Sequence, residues 1–453
     1  MRISSIVLTG LLALVSTIPL RAHPADLVTL VKAGRLLDPR SGNVIAPAFV
    51  LVEDDKIKQV GTVVPANVPE GAKVIDLSSA TLLPGLIDGH THLLLDVVVP
   101  PEAESRRHEK GEFSPGLLLA LVESPSKRIL MGAQSAREDL ESGITTARNL
   151  GHSGIDGDTE LRDAINAGRV LGPRVLASGR KLITRGEYVQ NLNPAFAEAI
   201  LQQEFLFIDG PDQARNAVRQ NIFQNVDLIK VSADENLSVP ELAAVVEEAH
   251  RAHLKVAVHA IDTVSIQTAI DAGVDSIEHG NFATDEQLKQ MRSKGIFFDF
   301  TPTFYGGFFL KITEPSIVRS TSAHAAELEA AARGRTRYEA LVQRVLKSGV
   351  KFAAGSDLCW FYPGKTRGQA STTTFVNLRR AGMPTLDVIR AITINAAKML
   401  GWEDRIGAID AGKFADLIAV AGNPLEDISE LERVRFVMKG GTVIRNDFAS
   451  SPR

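Results

Sequence analysis

The feature that most constrains the fold is a repeated alternation of helical stretches and short apolar runs in the middle of the chain. Residues 241–253 have helical spacing and lead into the apolar run 254–258, and the same order returns in residues 263–272 and 274–277. Each apolar run has the length of a strand. Repeated helix and strand units of this kind predict a parallel β-sheet flanked by helices.

One barrel explains this alternation better than two separate α/β domains. The alternating region, residues 83–404, has the length of a (β/α)8 TIM barrel with insertions, although an open parallel sheet is also compatible with the pattern. We therefore predict an α/β fold with a TIM barrel over residues 83–404.

The two ends of the chain have a different texture. Residues 27–82 hold short alternating runs separated by turn residues, and the runs 415–420 and 434–438 repeat that pattern. Alternation with a period of two predicts strands that have one buried face. We expect residues 23–82 and 405–453 to form one small β-sandwich domain built from both chain ends.

The first 22 residues predict export. Arg2 is followed by an apolar run over residues 3–20 and by a small residue suited to cleavage, as in a secretory signal peptide. An uncleaved membrane anchor is the alternative, but Gly10 and Pro19 interrupt an already short run. We expect a periplasmic or secreted protein, with residues 1–22 removed and no stable membrane insertion afterwards.

Charge and cysteine content narrow the class of partner. The formal net charge is −4, and acidic and basic residues are mixed along the chain, so the electrostatic footprint of a nucleic-acid-binding protein is missing. The single cysteine, Cys359, excludes an internal disulfide. We expect a small-molecule substrate and no nucleic-acid partner.

Two histidines end an apolar run near the start of the predicted barrel. His90 and His92 are separated by one residue, so on a strand both imidazoles lie on one face. Neutral imidazoles that converge on one point suit a divalent metal ion. Taken alone, such a pair is also compatible with two exposed histidines.

Four further polar residues strengthen the metal interpretation by their position. Each follows or ends a predicted strand, and in a barrel the carboxyl ends of the strands are where catalytic side chains converge. These residues are Lys230, His259, His279 and Asp357.

At this point the chain resembles the amidohydrolase superfamily, and specifically its binuclear members with a carboxylated lysine in the prolidase-like and ochratoxin-amidohydrolase-like branch. The resemblance rests on residues 83–92 at the first barrel strand, 143–148 at the second and 353–357 at the eighth. Residues 407–417 resemble the return of the chain to the small β domain. The resemblance implies that His90, His92 and Asp357 hold one metal ion, and that His259 and His279 hold the other.

The same resemblance implies that a carbamate on Lys230 and a hydroxide bridge the two ions. A lysine in a closed strand end loses hydration, which disfavours its ammonium form and lets the neutral amine add carbon dioxide. Asp357 would accept the proton of the hydroxide and return it to the leaving nitrogen. We expect two divalent ions, zinc first, although the ligand set also accepts manganese, cobalt or nickel.

Candidates for gripping a substrate carboxylate lie on the predicted loops. They are His152 after the second strand, Arg180, Arg185 and Tyr188 after the third, and Tyr305 further along the chain. A plain loop role is the alternative for each of them.

Three functions are compatible with these residues. The first is hydrolysis of an amide bond in a dipeptide, an N-acyl amino acid or an ochratoxin-like amide, with the long stretches 93–125 and 299–335 as lids that set substrate choice. The second is a cyclic-amide hydrolase or deaminase of the imidazolonepropionase type, against which Lys230 argues. The third is a non-catalytic periplasmic metal- or ligand-binding protein. We also expect a homo-oligomer, by resemblance to the branch.

Overall fold

The protein is described here by a computed structural model. It covers residues 28–95, 122–185, 193–233, 236–302, 321–359 and 364–449. The predicted signal peptide, Tyr188, Tyr305 and most of the two predicted lids lie outside these ranges. Within them, no helix combines the length and the apolar character needed to cross a membrane.

Strands from both ends of the chain form one mixed sheet of eight strands. Its strands are β1 (Val28–Leu37), β2 (Val44–Ile45), β3 (Ala48–Glu53), β4 (Lys56–Gly61), β5 (Lys73–Pro84), β16 (Leu417–Val420), β17 (Phe436–Lys439) and β18 (Thr442–Asn446). The C-terminal strand β16 pairs antiparallel with β5, which lies parallel to β1. The expected pairing of the two chain ends in one β unit is therefore present.

The middle of the chain forms parallel sheets, as its alternation predicts. The strands are β6 (Leu86–Thr91), β7 (Ile144–Asn149), β8 (Arg174–Ala177), β9 (Lys181–Ile183), β10 (Phe205–Phe207), β11 (Leu228–Ser232), β12 (Lys255–Ala260), β13 (Ser276–His279), β14 (Phe297–Phe300) and β15 (Phe352–Ala354). One sheet has the order β6-β7-β8, and the other has the order β10-β9-β11-β12-β13-β14-β15.

Helices follow most of these strands. They are α1 (Pro125–Glu141), α2 (Gly157–Asn166), α3 (Pro194–Leu201), α4 (Pro211–Phe223), α5 (Val239–Arg251), α6 (Thr263–Ala272), α7 (Asp285–Lys294), α8 (Thr321–Ser348), α9 (Arg367–Arg380), α10 (Thr385–Ala391) and α11 (Ile394–Leu400). Helix α6 has the predicted bounds, because the Asp262 side chain caps its start and Gly273 ends it in a left-handed conformation. Helix α5 stops two residues before the predicted end at His253, whose φ of 60° cannot continue a helix.

The polar and apolar ends of the parallel strands are separated. Leu228 and Phe297, the first residues of β11 and β14, pack in one apolar cluster with Met399 of α11. Such a cluster closes the amino ends of the strands, so polar side chains gather at the carboxyl ends.

Hydrogen bonds also join the outer strands of the two parallel sheets. The amide of Asp227, before β11, donates to the Ala177 carbonyl of β8 at 2.8 Å. At the other edge, the amide of Asp357, after β15, donates to the His90 carbonyl of β6 at 2.6 Å. The first and last parallel strands of the region are thereby neighbours.

Candidate metal centre

All six residues expected to bind metal lie in the described part of the chain, at or near carboxyl ends of parallel strands. His90 is on β6 and His92 directly follows it, while Lys230, His259 and His279 are on β11, β12 and β13. Asp357 follows β15.

His90, His92 and Asp357 converge. The Nε2 atoms of the two histidines lie 3.4 Å and 3.2 Å from the same carboxylate oxygen, Oδ1 of Asp357. One ligand atom from each of the three residues can be chosen so that all lie within 4.8 Å of one another. This spacing and this donor set suit a divalent metal ion between them.

His259 and His279 form a second pair beside the first. Their ring centres are 4.4 Å apart, and the ring of His279 lies 5.0 Å from that of His90. Nδ1 of His279 is 3.8 Å from Oδ2 of Asp357 and 2.7 Å from the Thr301 hydroxyl oxygen. The second oxygen of Asp357 thus lies nearer to the second histidine pair through His279, and the ring contacts join the four histidines and Asp357 in one cluster.

The backbone is strained at two of these residues. His279 has a φ of 73° and Asp357 a φ of 47°, in the left-handed region that side chains seldom adopt. Such conformations cost about 1–3 kcal/mol each and persist where surrounding structure enforces them. In both cases the turn directs a side chain from the end of its strand into the site.

The Lys230 amine is one of several buried polar groups without a hydrogen-bond partner in the described residues. Its residue is 2% exposed, and within the described residues Nζ has no hydrogen-bond partner. Burial lowers the pKa of Lys230 to about 8. Ser232, two residues further along β11 and so on the same face, also has a buried hydroxyl without a partner in the described ranges. A buried amine that gives up its proton more readily than an ordinary lysine, and that lacks a partner among the described residues, fits the anionic carbamate ligand that the resemblance implies.

The electrostatics favour neutral imidazoles around an ionised carboxylate. Burial lowers the pKa of His90 to about 3, lowers that of His92, and holds that of His279 well below its ordinary value. Burial alone would raise the pKa of Asp357, but the facing histidines outweigh it and hold that pKa below its usual range. Neutral imidazoles and a carboxylate are the protonation states that metal binding requires.

Below the histidines lies a buried network that the sequence reasoning missed. Nδ1 of His90 lies 2.9 Å from Oε2 of Glu278, which directly precedes His279. An Nδ1–H bond to Glu278 leaves the lone pair on Nε2 of His90, the nitrogen that faces Asp357. Arg148 donates to Glu278 at 2.9 Å and to Asp299 at 3.1 Å.

One guanidinium contacts two carboxyl groups in this network, and the pKa values of the two carboxyl groups shift in opposite directions. Burial would raise the pKa of Glu278, but Arg148 and His90 hold it well below its ordinary value. Burial and the charge of Glu278 raise the pKa of Asp299 well above its ordinary value. Arg148 therefore stabilises the ionised form of Glu278, while burial and the nearby Glu278 disfavour ionisation of Asp299. Charged residues within otherwise apolar strand sequences were the available clue.

Asp88 connects the two strands that carry the first metal half-site. Its Oδ1 accepts hydrogen bonds from the amide of His90 at 3.1 Å and from the amide of Ser356 at 2.8 Å. The first amide belongs to a histidine of the site, and the second belongs to the residue directly before Asp357. Asp88 thereby holds the ends of β6 and β15 in register.

The residues predicted to bind the substrate differ in their contacts with the site. His152 lies beside the site, with its ring 5.2 Å from that of His92 and 5.7 Å from that of Phe205. Arg180 instead donates to the carbonyl of Gln202, directly after α3, and to the side-chain amide oxygen of Gln220 on α4. The contacts of Arg180 therefore do not support the predicted grip on a substrate carboxylate.

The next residue along the chain is a buried cation that the prediction overlooked. Lys181 is 5% exposed, and its Nζ lies 5.4 Å from the ring centre of Phe205. Adjacent residues of an extended segment point to opposite sides, which explains why Lys181 turns inward where Arg180 turns outward. Arg185 pairs with Asp209 and Glu198 at the surface.

Comparisons with known proteins agree with this geometry. A sequence model described as the amidohydrolase family matches residues 81–444. The chain is 30% identical over 455 residues to an ochratoxinase of Aspergillus niger, covering 92% of this chain and 87% of that one. It is 25% identical over 394 residues to an imidazolonepropionase of Fusobacterium nucleatum subsp. nucleatum, covering 82% and 84% of the two chains.

A solved structure shares the fold over nearly the whole chain. It is a Xaa-Pro dipeptidase with methionine bound in its active site, and it is 30% identical to this chain with a TM-score of 0.74. The match covers 92% of this chain and 100% of that one.

Proposed function

Because this chain belongs to the amidohydrolase family and is a metal-dependent amidohydrolase acting on amide bonds, we propose that it cleaves peptide-like amides. The substrates we propose are a dipeptide, an N-acyl amino acid or an ochratoxin-like amide, in line with the ochratoxinase and dipeptidase relatives. The observation that carries the proposal is the convergence of His90, His92 and Asp357 beside a buried, unpartnered Lys230 in the described residues.

Two divalent ions, zinc first, are proposed as cofactors. His90, His92 and Asp357 would hold one, His259 and His279 the other, and a carbamate on Lys230 would ligate both. Bound divalent ions lower the pKa of water and polarise a carbonyl group, which is the chemistry that amide hydrolysis requires.

Asp357 is the proposed proton-transfer residue. Its Oδ1 lies 3.2 Å from Nε2 of His92 and its Oδ2 lies 3.8 Å from Nδ1 of His279. Its lowered pKa keeps the carboxyl group ionised, so an oxygen is free to take a proton from the attacking water. It would return this proton to the leaving nitrogen, which must be protonated before the amine departs.

His152 is proposed to contact the substrate. It stands between His92 and Phe205, at the edge of the site where a bound amide would extend. Tyr188 and Tyr305 remain predictions outside the described residues. The wider architecture is part of the same proposal: β8 and β9 act as one strand, and β10 pairs only with β9 at the edge of the sheet. Together with β6, β7 and β11 to β15 this gives eight parallel strands, which close into the predicted TIM barrel over residues 83–404.

Barrel closure is supported by the hydrogen bonds that join β6 to the segment after β15 and β8 to the segment before β11. The arrangement of residues 23–82 and 405–453 as a β-sandwich domain is a proposal of the same kind. So are export directed by residues 1–22, periplasmic or secreted localisation, and assembly into a homo-oligomer.

The imidazolonepropionase-type activity is the second candidate, because an imidazolonepropionase matches 82% of the chain. Lys230 counts against it, since we expect that reaction to use one metal ion without a lysine ligand.

Purified protein reconstituted with zinc should distinguish these functions. The panel contains Xaa-Pro and other dipeptides, N-acyl amino acids, ochratoxin A and imidazolonepropionate. We expect turnover of at least one of the first four classes, monitored by release of a free amino group. Turnover of imidazolonepropionate alone would replace the proposal with the second candidate, and no turnover of any compound would refute it.

A further inference from the structure

A buried ion pair lies beside the metal centre without belonging to it. Arg128 of α1 and Glu204, between α3 and β10, are 3% and 2% exposed. Nη1 of Arg128 donates to Oε1 of Glu204, and Nη2 donates to Oε2 at 3.2 Å. A two-point contact of this kind fixes the orientation of both side chains.

Both members of the pair also hold the loop that carries His152. Nη2 of Arg128 donates to the His152 carbonyl at 2.5 Å. Oε2 of Glu204 accepts a hydrogen bond from the amide of Gly154 at 3.4 Å. The pair thus bonds to the loop at two backbone positions, one on either side of Ser153.

This loop has a conformation that needs such restraint. Gly151, His152 and Gly154 have φ angles of 85°, 56° and 71°. Glycine adopts these angles freely, but for His152 the left-handed region is unfavourable. A free loop would relax toward ordinary angles, and the imidazole would then leave its present direction.

The direction of His152 matters because its side chain lies at the site. Its ring is 5.2 Å from the ring of His92, and its Nδ1 is buried without a hydrogen-bond partner in the described residues. Removing two opposite charges from water costs several kcal/mol per ion, which good geometry must offset. A pair used only for stability could be replaced by apolar residues, so its attachment to this loop points to a positioning role.

We propose that Arg128 and Glu204 are positioning residues that hold His152 in the left-handed conformation in which its imidazole meets the substrate. The proposal rests on the proposed function, in which His152 contacts the substrate. It adds that the orientation of this contact is imposed from outside the metal centre, by two residues whose side-chain hydrogen bonds within the described part of the chain are to each other and to the His152 loop.

The restraint on the loop can be measured without any enzymatic activity. Hydrogen exchange of the peptide covering residues 150–156 is followed by mass spectrometry in the wild type, Arg128→Lys, Glu204→Gln and His152→Ala. We expect exchange to be at least about 10-fold faster in the first two variants, since a lysine or a neutral amide cannot make the same pair of contacts. His152→Ala should keep Gly154 protected, because the contacts are to the backbone.

Arg174→Met is the matched control. Arg174 pairs with the buried Asp416 at 3.1 Å, at the start of β8 and away from the loop. This variant should leave exchange of residues 150–156 unchanged. Unchanged exchange in both Arg128→Lys and Glu204→Gln would overturn the proposal, whatever their kinetics.

A double-mutant cycle tests the connection to the substrate. For a substrate found in the panel, we expect Arg128→Lys to lower kcat/KM by about 10-fold, mainly through KM, with zinc content unchanged. In a His152→Ala background the same change should have little further effect, because it acts through His152.

Two kinetic outcomes contradict the proposal. Additive effects of Arg128→Lys and His152→Ala would show that the pair acts by another route. An unchanged kcat/KM in His152→Ala would show that there is no contact to position. Absence of turnover in the wild type refutes the proposed function instead, and the hydrogen-exchange result then still decides whether the pair restrains the loop.

Discussion

At the residue scale, hydrogen bonds between buried polar atoms fix the side chains of the site in place. Glu278 fixes the orientation of the His90 ring, and Asp88 binds the amides beside it. Lys230 Nζ differs, because it is buried and lacks a partner within the described residues. Buried polar atoms without partners are uncommon in folded proteins, and where they occur they point to a missing ligand or a chemical role.

Substitution of Lys230 tests its proposed role as a ligand. Lys230→Met keeps the apolar length but removes the amine, so we expect the zinc content of the reconstituted protein to fall from two ions per chain and the rate of amide hydrolysis to fall at least about 100-fold. Lys439→Met is the control, since that lysine donates to the Gly172 carbonyl at 2.6 Å. Two zinc ions per chain and full activity in Lys230→Met would remove the lysine from the metal centre.

Substitution of Asp357 tests proton transfer. Asp357→Asn keeps the shape but cannot accept the proton, and we expect kcat to fall by about 10²- to 10⁴-fold in zinc-loaded protein of unchanged circular dichroism. His250→Asn is the control, because the His250 side chain is 45% exposed and contacts the half-buried Asp275 rather than the metal centre. Retention of wild-type kcat by Asp357→Asn would require another proton acceptor.

At the element scale, helices α1 and α9 are joined by polar contacts that surround a buried carboxyl group. Oδ1 of Asp139 accepts from the Ser371 hydroxyl at 3.0 Å, while Oδ2 has no partner in the described residues. The amide of Arg367 donates to Glu138 at 2.7 Å, and Gly368 packs against the Glu138 carbonyl. Burial raises the pKa of Asp139 to about 7.

This raised pKa predicts a pH-dependent stability. The pKa of Asp139 is higher in the folded protein than its ordinary value of 3.8, so the unfolded chain releases the proton first as the pH rises. The stability associated with Asp139 is therefore present below about pH 4 and is lost as the pH rises through about 7. We expect Asp139→Asn to be more stable than the wild type at pH 8 by about 1–3 kcal/mol, with a smaller difference at pH 4.5.

Urea unfolding at the two pH values measures this difference. Asp427→Asn is the control, since that carboxylate is 59% exposed. An equal stability difference for Asp139→Asn at both pH values would contradict titration of Asp139 in this range.

Replacing two glycines by alanine should change the stability of the protein in opposite directions, because only one of them lies where β15 approaches β6 closely. A methyl group on Gly355 would lie 2.2 Å from the backbone nitrogen of His90. We therefore expect Gly355→Ala to destabilise the protein by at least about 2 kcal/mol and to weaken zinc binding. Gly334, in α8, has open space around its Cβ position, and Gly334→Ala should stabilise by about 0.5–1 kcal/mol. Thermal unfolding of both variants checks the signs, and a tolerated Gly355→Ala would refute this close contact.

At the scale of the whole molecule, the two ends of the chain depend on each other. Leu417 and Ala419 of β16 are fully buried, and both belong to the apolar cluster that contains Leu77 and Leu82 of β5. A polypeptide that ends at residue 404 would leave this cluster and the edge of β5 uncovered.

We therefore expect the chain truncated after residue 404 to be insoluble or to lack a cooperative unfolding transition. A chain ending at residue 449 keeps β16, β17 and β18 and is the matched control. Soluble fraction and calorimetry measure the effect. A soluble, cooperatively folded 1–404 fragment would show that the parallel region does not need its C-terminal strands.

Local patterns account for what could be predicted before the structure. Strand alternation, the bounds of α6 and the placement of His90 and His92 at the carboxyl end of one strand follow from periodicity and capping over a few residues. Arg180 and Lys181 show the limit of this reasoning, because both are cations and only the path of the chain decides which one turns inward.

By itself, the sequence determined the alternating α/β pattern, the strand character of both chain ends and the residue types at the strand ends, because each follows from short-range periodicity. Only the tertiary structure decided which buried charges meet. Arg148 contacts Glu278 across 130 residues, and Arg128 contacts Glu204 across 76. Such contacts depend on how strands and loops pack in space, and no local pattern of residues encodes them.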